Sequence, residues 1–324
     1  MLSRSHVWLL AAVALTWAFD GNAQQNYPNR SVRVVLFLPA GGAADLQARL
    51  VAQKLGETFG QNFIIDNRPG MGGVIGTGIV AKAAPDGYTL LAGGITTHGI
   101  GPHVYSKLPY DPVKDFTPII LSSTMPIFLL VNAQVPAKSV SELVALAKAK
   151  PESINFASPG TGSAPHLVGE LFKSVTGIPS QHIPYKGSGI AAPDLAGGHV
   201  QFMFDAIAGH LGSVQSGRVK AFAVTGASRV AAFPDTPTMA EVGLPRVTGS
   251  VWYGFLAPAG TPKDIIAKLN AAANRALSSQ EAKERMAAAG MYPAGSTPEE
   301  FGKLIRDELA KWGPIVKAAG VKVE

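Results

Sequence analysis

The chain has 324 residues, 47% hydrophobic and 15% charged, with no cysteine and a formal net charge of +6. That composition can fill one large core or two modest ones, and it excludes a disordered tail, disulfide cross-links and thiol chemistry. The positive charge is spread without a Lys/Arg-rich run or interleaved basic and aromatic residues. This argues against a nucleic-acid surface and leaves an attraction for small anions.

The first residues read as an export signal. Arg4 supplies a positive start, Val7 to Phe19 is an apolar run, and Gly21-Asn22-Ala23 places small residues where a signal peptidase reads. The apolar run is shorter than the roughly 18 to 20 residues of a membrane span. Residues 1–23 are expected to be removed near Ala23. The mature chain is expected in the periplasm, which suits the lack of cysteine.

Val32 to Leu38 (VRVVLFL) is a β-branched run, apolar on both faces, as in a strand buried within a parallel sheet. Pro39 ends it. Ala40-Gly41-Gly42-Ala43-Ala44 follows almost without side chains, and Asp45 opens a helical pattern that runs through Arg49 to Phe59 and stops at Gly60. A buried strand, a glycine turn and a helix start in succession leave backbone N–H groups and the positive helix end facing open space. That is a site for an anion. An ordinary loop that binds nothing is the competing reading, and a second loop of the same kind weighs against it.

Phe63 to Asp66 reads as a strand, Val74 to Ala84 as a helix stopped by Pro85-Asp86-Gly87, Tyr88 to Ala92 as a buried strand and Gly93 to His98 as a loop. Ile119–Leu121 and Ile127–Val131 read as two strands around Ser122–Pro126. Ser139 to Lys150 is a helix with a capping box, Ser139-x-x-Glu142. Asn155 to Ala157 begins the second strand–loop–helix unit, whose loop is Ser158-Pro159-Gly160-Thr161-Gly162-Ser163. Here the hydroxyls of Ser158, Thr161 and Ser163 add donors, and Ser163 is placed as an N-cap. Strands are expected at His182–Tyr185, Val200–Phe204, Val219–Val224 and Trp252–Ala257, and 262–324 is helical in pattern. The alternation predicts an α/β fold of mostly parallel sheets covered by helices. Two lobes are expected, with the glycine-rich loops facing each other across a cleft and holding the two ends of one anion.

Other motifs carry less. Gly76-Thr77-Gly78-Ile79-Val80-Ala81 matches G-x-G-x-x-A but lies inside a predicted helix, so it implies no nucleotide. Ser163, His166 and Asp205 can be drawn as a hydrolase triad, but no G-x-S-x-G elbow surrounds any serine. His98 and His103 sit in a Gly/Pro-rich loop, and His182, His199 and His210 lack metal-ligand spacing; no metal and no cofactor is expected. Asp205 closes an apolar strand, where it either orients a ligand amine or hydroxyl or caps Ala206–Leu211.

Several segments in this order together carry a resemblance: DNRPGMGGVIG, PDGYTLL, YDPVKDFTPI, ASPGTGSAPHL, PYKGSG, LAGGHVQFMFD, PDTPTMAEVGLP and WYGFLAPAGTP. Over 27–324 the chain resembles the Bug-type periplasmic receptors, the substrate-binding proteins of tripartite tricarboxylate transporters. The resemblance implies a two-lobe type II periplasmic binding protein that closes on a small carboxylate, performs no chemistry and hands its ligand to membrane components. It implies that both glycine-rich loops are ligand loops. Ala43-Ala44 stands where many relatives carry Ser or Thr, and Leu36 and Leu38 where Pro and a small residue are frequent. Loop one should therefore bind through backbone N–H groups beside an apolar wall, which suits an aromatic or longer aliphatic carboxylate as well as a di- or tricarboxylate.

The expected ligand-binding set is Phe37, Ala40, Gly41, Gly42, Ala43, Ala44, Asp45, Thr97, His98, Ser158, Gly160, Thr161, Gly162, Ser163, His166 and Asp205. Lobe one is expected over 24–125 and 226–324, lobe two over 126–225, in a monomer. A sensory receptor and a hydrolase at Ser163/His166 are the alternative functions.

Overall fold

The apolar runs form most of the strands of two sheets in a computed structural model that describes residues 27–322. The export signal expected over 1–23 lies outside the described residues. The first sheet holds β1 (Val32–Leu36), β2 (Phe63–Asn67), β3 (Thr89–Gly94), β4 (Phe116–Pro126), β10 (Ser250–Pro258) and β11 (Tyr292–Pro293), in the order β11-β4-β10-β3-β1-β2. The second holds β5 (Phe128–Asn132), β6 (Phe156–Ser158), β7 (His182–Pro184), β8 (Phe202–Asp205) and β9 (Val219–Val224), in the order β7-β6-β8-β5-β9.

Both sheets are mixed, where mostly parallel sheets were expected. β1 runs parallel to β2 and β3, and β6 runs parallel to β7 and β8. β10 is antiparallel to β3 and β4, and β5 to β8 and β9. The cause is the way the chain changes lobes. β4 passes into β5 with only Ile127 between them, and the chain returns as β10, so each crossing strand enters against the direction of its neighbours.

The crossing also explains Ser122–Pro126, expected as a break and found inside β4. Its backbone pairs with β10 from Ser250 to Tyr253, and the Ser122 hydroxyl lies 3.0 Å from the Tyr253 carbonyl at a register shift. Gly93–His98, expected as a loop, ends β3 and then winds into a wide helical turn, Thr96–Ile100, followed by a short helix, Gly101–Val104. The C-terminal part is helical except for β11, which pairs with the edge of β4.

Two helices matter for the site. Helix α1 (Ala43–Phe59) follows β1 and ends at Gly60, whose φ of 67° gives the left-handed turn a glycine takes without strain. Helix α5 (Ala164–Thr176) follows β6, counting α2 (Val74–Ala81), α3 (Gly101–Val104) and α4 (Val140–Ala149) between them. The last helix, α10 (Pro298–Ala319), starts with a full capping box between Thr297 and Glu300. It buries Trp312 against Gly99 and Gly249. One buried cluster runs from Val35 and Leu91 through Trp252 and Trp312 to Leu129 and Phe156, so both sheets share part of their core.

Candidate functional site

Loop one runs from the end of β1 to the start of α1. Gly41 takes a φ of 90°, and Gly42 is the helix N-cap, with no side-chain acceptor for the first N–H groups. A Cβ built on Gly41 or Gly42 would meet nothing within 4 Å, so the loop borders open space.

Asp45 serves the loop from within. It is buried; one carboxylate oxygen accepts the Gly41 N–H at 3.1 Å and Arg49 Nε at 2.9 Å, and the other accepts Asn67 Nδ2 at 3.1 Å. Burial pushes its pKa up, but the hydrogen bonds from Arg49, Gly41 and Asn67 outweigh this and hold the carboxyl below its usual range. Asp45 is thus ionised and fully engaged, and it takes the Gly41 N–H out of the donor set. Gly42, Ala43 and Ala44 remain to offer N–H groups.

Loop two joins β6 to α5. Ser158 is fully buried; its hydroxyl meets His182 Nε2 at 2.7 Å and accepts the Gly160 N–H at 3.2 Å. The Ser163 hydroxyl caps α5, accepting the His166 N–H at 3.3 Å and donating to the Gly160 carbonyl at 2.7 Å. The Gly162 N–H donates to His166 Nδ1 at 3.1 Å. Thr161 alone of the three hydroxyl residues is exposed. So the hydroxyls of Ser158 and Ser163, expected at the ligand, are tied into the loop, while Thr161 faces outward.

Phe37, Thr97 and His98 lie inside the protein. Phe37 packs beside Gly73 and Thr97. The Thr97 hydroxyl bonds the Gly94 carbonyl at 3.1 Å and His98 Nδ1 at 2.8 Å. His98 is fully buried, edge-on to Phe116 at 4.8 Å, and burial pushes its pKa down to about 3, so the ring is neutral. The helical turn over 96–100 winds Thr97 and His98 into the core, and Phe37 enters it directly after β1. Asp205 is buried as well. It accepts the Ala206 N–H at 2.8 Å on one oxygen and pairs with His210 Nε2 at 3.0 Å through the other, so both oxygens are engaged within the protein.

The lobes meet near both loops. Ala206 packs against the same cluster as Leu38, Ala43, Leu46 and Tyr253. Val104 lies against Gly162, at 3.5 Å from a Cβ built there, and the Tyr105 hydroxyl lies against Gly72. Tyr105 and Tyr253 are half-buried, and burial raises both hydroxyl pKa values, Tyr253 to about 12. Neither tyrosine stands out in the sequence, because each meets its neighbours through packing of distant segments.

The hydrolase geometry is missing. The Ser163 hydroxyl contacts the backbone of His166 and not its ring, and Asp205 is paired with His210. Among the described residues no cluster of three metal-ligating side chains occurs, and no helix is long and apolar enough to cross a membrane.

Residues 47–321 match the model of the tripartite tricarboxylate transporter family receptors. The chain is 37% identical over 321 residues to protein BugT of Bordetella pertussis, covering 98% of each. It is 35% identical to the solved structure of R. palustris Rpa4515 with adipate, with a TM-score of 0.80, covering 92% of this chain and all of that one. MatC from Rhodopseudomonas palustris with bound malate is also 35% identical, with a TM-score of 0.76, covering 90% of this chain and all of that one.

Proposed function

The chain belongs to the tripartite tricarboxylate transporter receptors, a family of periplasmic solute-binding proteins and not of enzymes, and from that premise we propose that it captures a dicarboxylate between its lobes. One carboxylate sits on the N–H groups of Gly42, Ala43 and Ala44 at the start of α1, and the other at Thr161 in loop two. The loaded receptor, a monomer with lobes over 24–125 plus 226–324 and over 126–225, passes the ligand to the membrane components of a tripartite transporter.

The observation that carries this reading is loop one. The N–H groups of Gly42, Ala43 and Ala44 at the head of a 17-residue helix are uncapped by any side chain, and Gly42 stands beside open space; such a helix end favours an anion. The bound ligands of the two R. palustris relatives, adipate and malate, are both dicarboxylates.

The test is Gly42→Asp. Gly42 has a φ of −87° and open space at its Cβ, so the substitution fits the backbone and places a carboxylate where the ligand's would lie. A thermal-shift screen of mono-, di- and tricarboxylates on the wild type identifies the ligand, since saturation at 100 times Kd stabilises by about 2.7 kcal/mol. Calorimetry on the variant should then show binding lost with thermal stability kept. Wild-type affinity in Gly42→Asp refutes loop one as the anion site.

A further inference from the structure

The structure assigns His166 a positioning role: stacked on His182 beneath loop two, it holds the loop in its turned shape by accepting the Gly162 N–H on an unprotonated Nδ1. Gly162 takes a φ of 76°, which points its N–H back into the protein, and His166 Nδ1 meets it at 3.1 Å. A nitrogen that accepts carries no proton, so the neutral ring bears its proton on Nε2, which faces Glu170 at 3.8 Å.

His182 does the same for the other glycine through an intermediary. Its ring lies 3.8 Å from that of His166, with an interplanar angle of 21°, and its Nε2 meets the Ser158 hydroxyl that accepts the Gly160 N–H. Each imidazole thus anchors one of the two glycines that flank Thr161. Two protonated rings stacked this closely would repel each other. The charged groups near the pair are Glu170 and Lys173, both on α5, and they are bonded to each other at 3.0 Å. Phe156, from β6, covers the stack without charge. Burial, the neighbouring ring and Lys173 push the pKa of His166 down to about 3, and burial with Lys173 pushes His182 down to about 4. The loop therefore needs neutral histidines.

The effect on affinity rests on the reading of loop two as a ligand loop; the positioning role does not, so both are measured. In 15N-labelled wild-type protein at pH 7, His166 should show the Nε2–H tautomer and a through-hydrogen-bond N–N coupling to Gly162. In His166→Leu, Gly162 amide exchange should speed up roughly tenfold or more, with core amides unchanged, and His166→Asn, whose carbonyl oxygen can accept, should restore protection. Wild-type Gly162 protection should fall between pH 6.5 and 4 by up to about tenfold per pH unit for each histidine that protonates only when the loop opens. His166→Asn should fall less steeply. Protonated Nδ1 in the wild type, or unchanged Gly162 exchange in a folded His166→Leu, overturns the proposal. Adipate and malate titrations complete the test: weaker binding in His166→Leu, recovered in His166→Asn, supports the chain from imidazole to ligand. If the exchange results hold while a bound acid is held equally well, the positioning role stands and the ligand assignment of loop two falls.

Discussion

Ser158, Thr161 and Ser163 look alike in sequence, each a small hydroxyl residue in a glycine-rich loop, yet the fold gives them different tasks. Ser163 closes the first turn of α5, so Ser163→Ala should lower stability by about 1 kcal/mol, read from urea or thermal unfolding. Thr161 is exposed, so Thr161→Ala should leave stability unchanged. It should weaken ligand binding about ten- to hundredfold, the range for a hydroxyl on a charged group. Equal affinity in Thr161→Ala by calorimetry would remove Thr161 from the site. The Ser163 cap was legible in the sequence, but the internal use of Ser158 was not, because spacing reveals a loop's donors but not the direction each one points. For the same reason Asp45, read as a ligand residue, turns out to brace its own loop through Gly41 and Asn67.

At the level of elements, the strand–glycine–helix units at both loops were legible because each signal is local: an apolar strand, two glycines and a helix start within twenty or so residues. The Gly60 stop and the Ser139 cap were legible for the same reason. β11, the strand character of Ser122–Pro126 and the direction of β10 were not, since partners far away in the chain impose them. Gly254 shows how tightly β10 is held. A Cβ there would lie 2.6 Å from the Ile120 carbonyl oxygen and would run into the Phe301 ring of α10. Gly254→Ala should therefore destabilise by about 1–3 kcal/mol, the usual cost of overpacking, with the denaturant midpoint as the measurement.

Over the whole molecule, stability should depend on pH through its buried neutral histidines. His98, His166 and His182 have pKa values pushed down to about 3, 3 and 4, against 6.5 for an exposed ring. Below pH 6.5 the unfolded chain takes up protons that the native protein refuses. Stability is thus fully present above pH 6.5 and falls as the pH drops towards 4, by as much as about 1.4 kcal/mol per pH unit for each histidine. Unfolding curves at pH 7, 6, 5 and 4.5 check this, and a flat profile would mean that these rings titrate normally. Closure is a second global expectation: ligand held by both lobes should compact the protein, seen as a smaller radius of gyration in solution scattering.

The return of the chain as β10 has a consequence for how the protein is made. Residues 250–258 fill the gap between β3 and β4, so the first sheet lacks its middle until three quarters of the polypeptide exists. The second sheet, built from 128–224 alone, has all its strands sooner. Pairings of such long sequence separation form slowly. A chain destined for export gains from that delay, because its leading half emerges from the ribosome unable to finish folding and stays threadable through a translocation channel. Moving β10 ahead of β4 by circular permutation should speed folding of the first sheet and, with residues 1–23 kept in front, slow export.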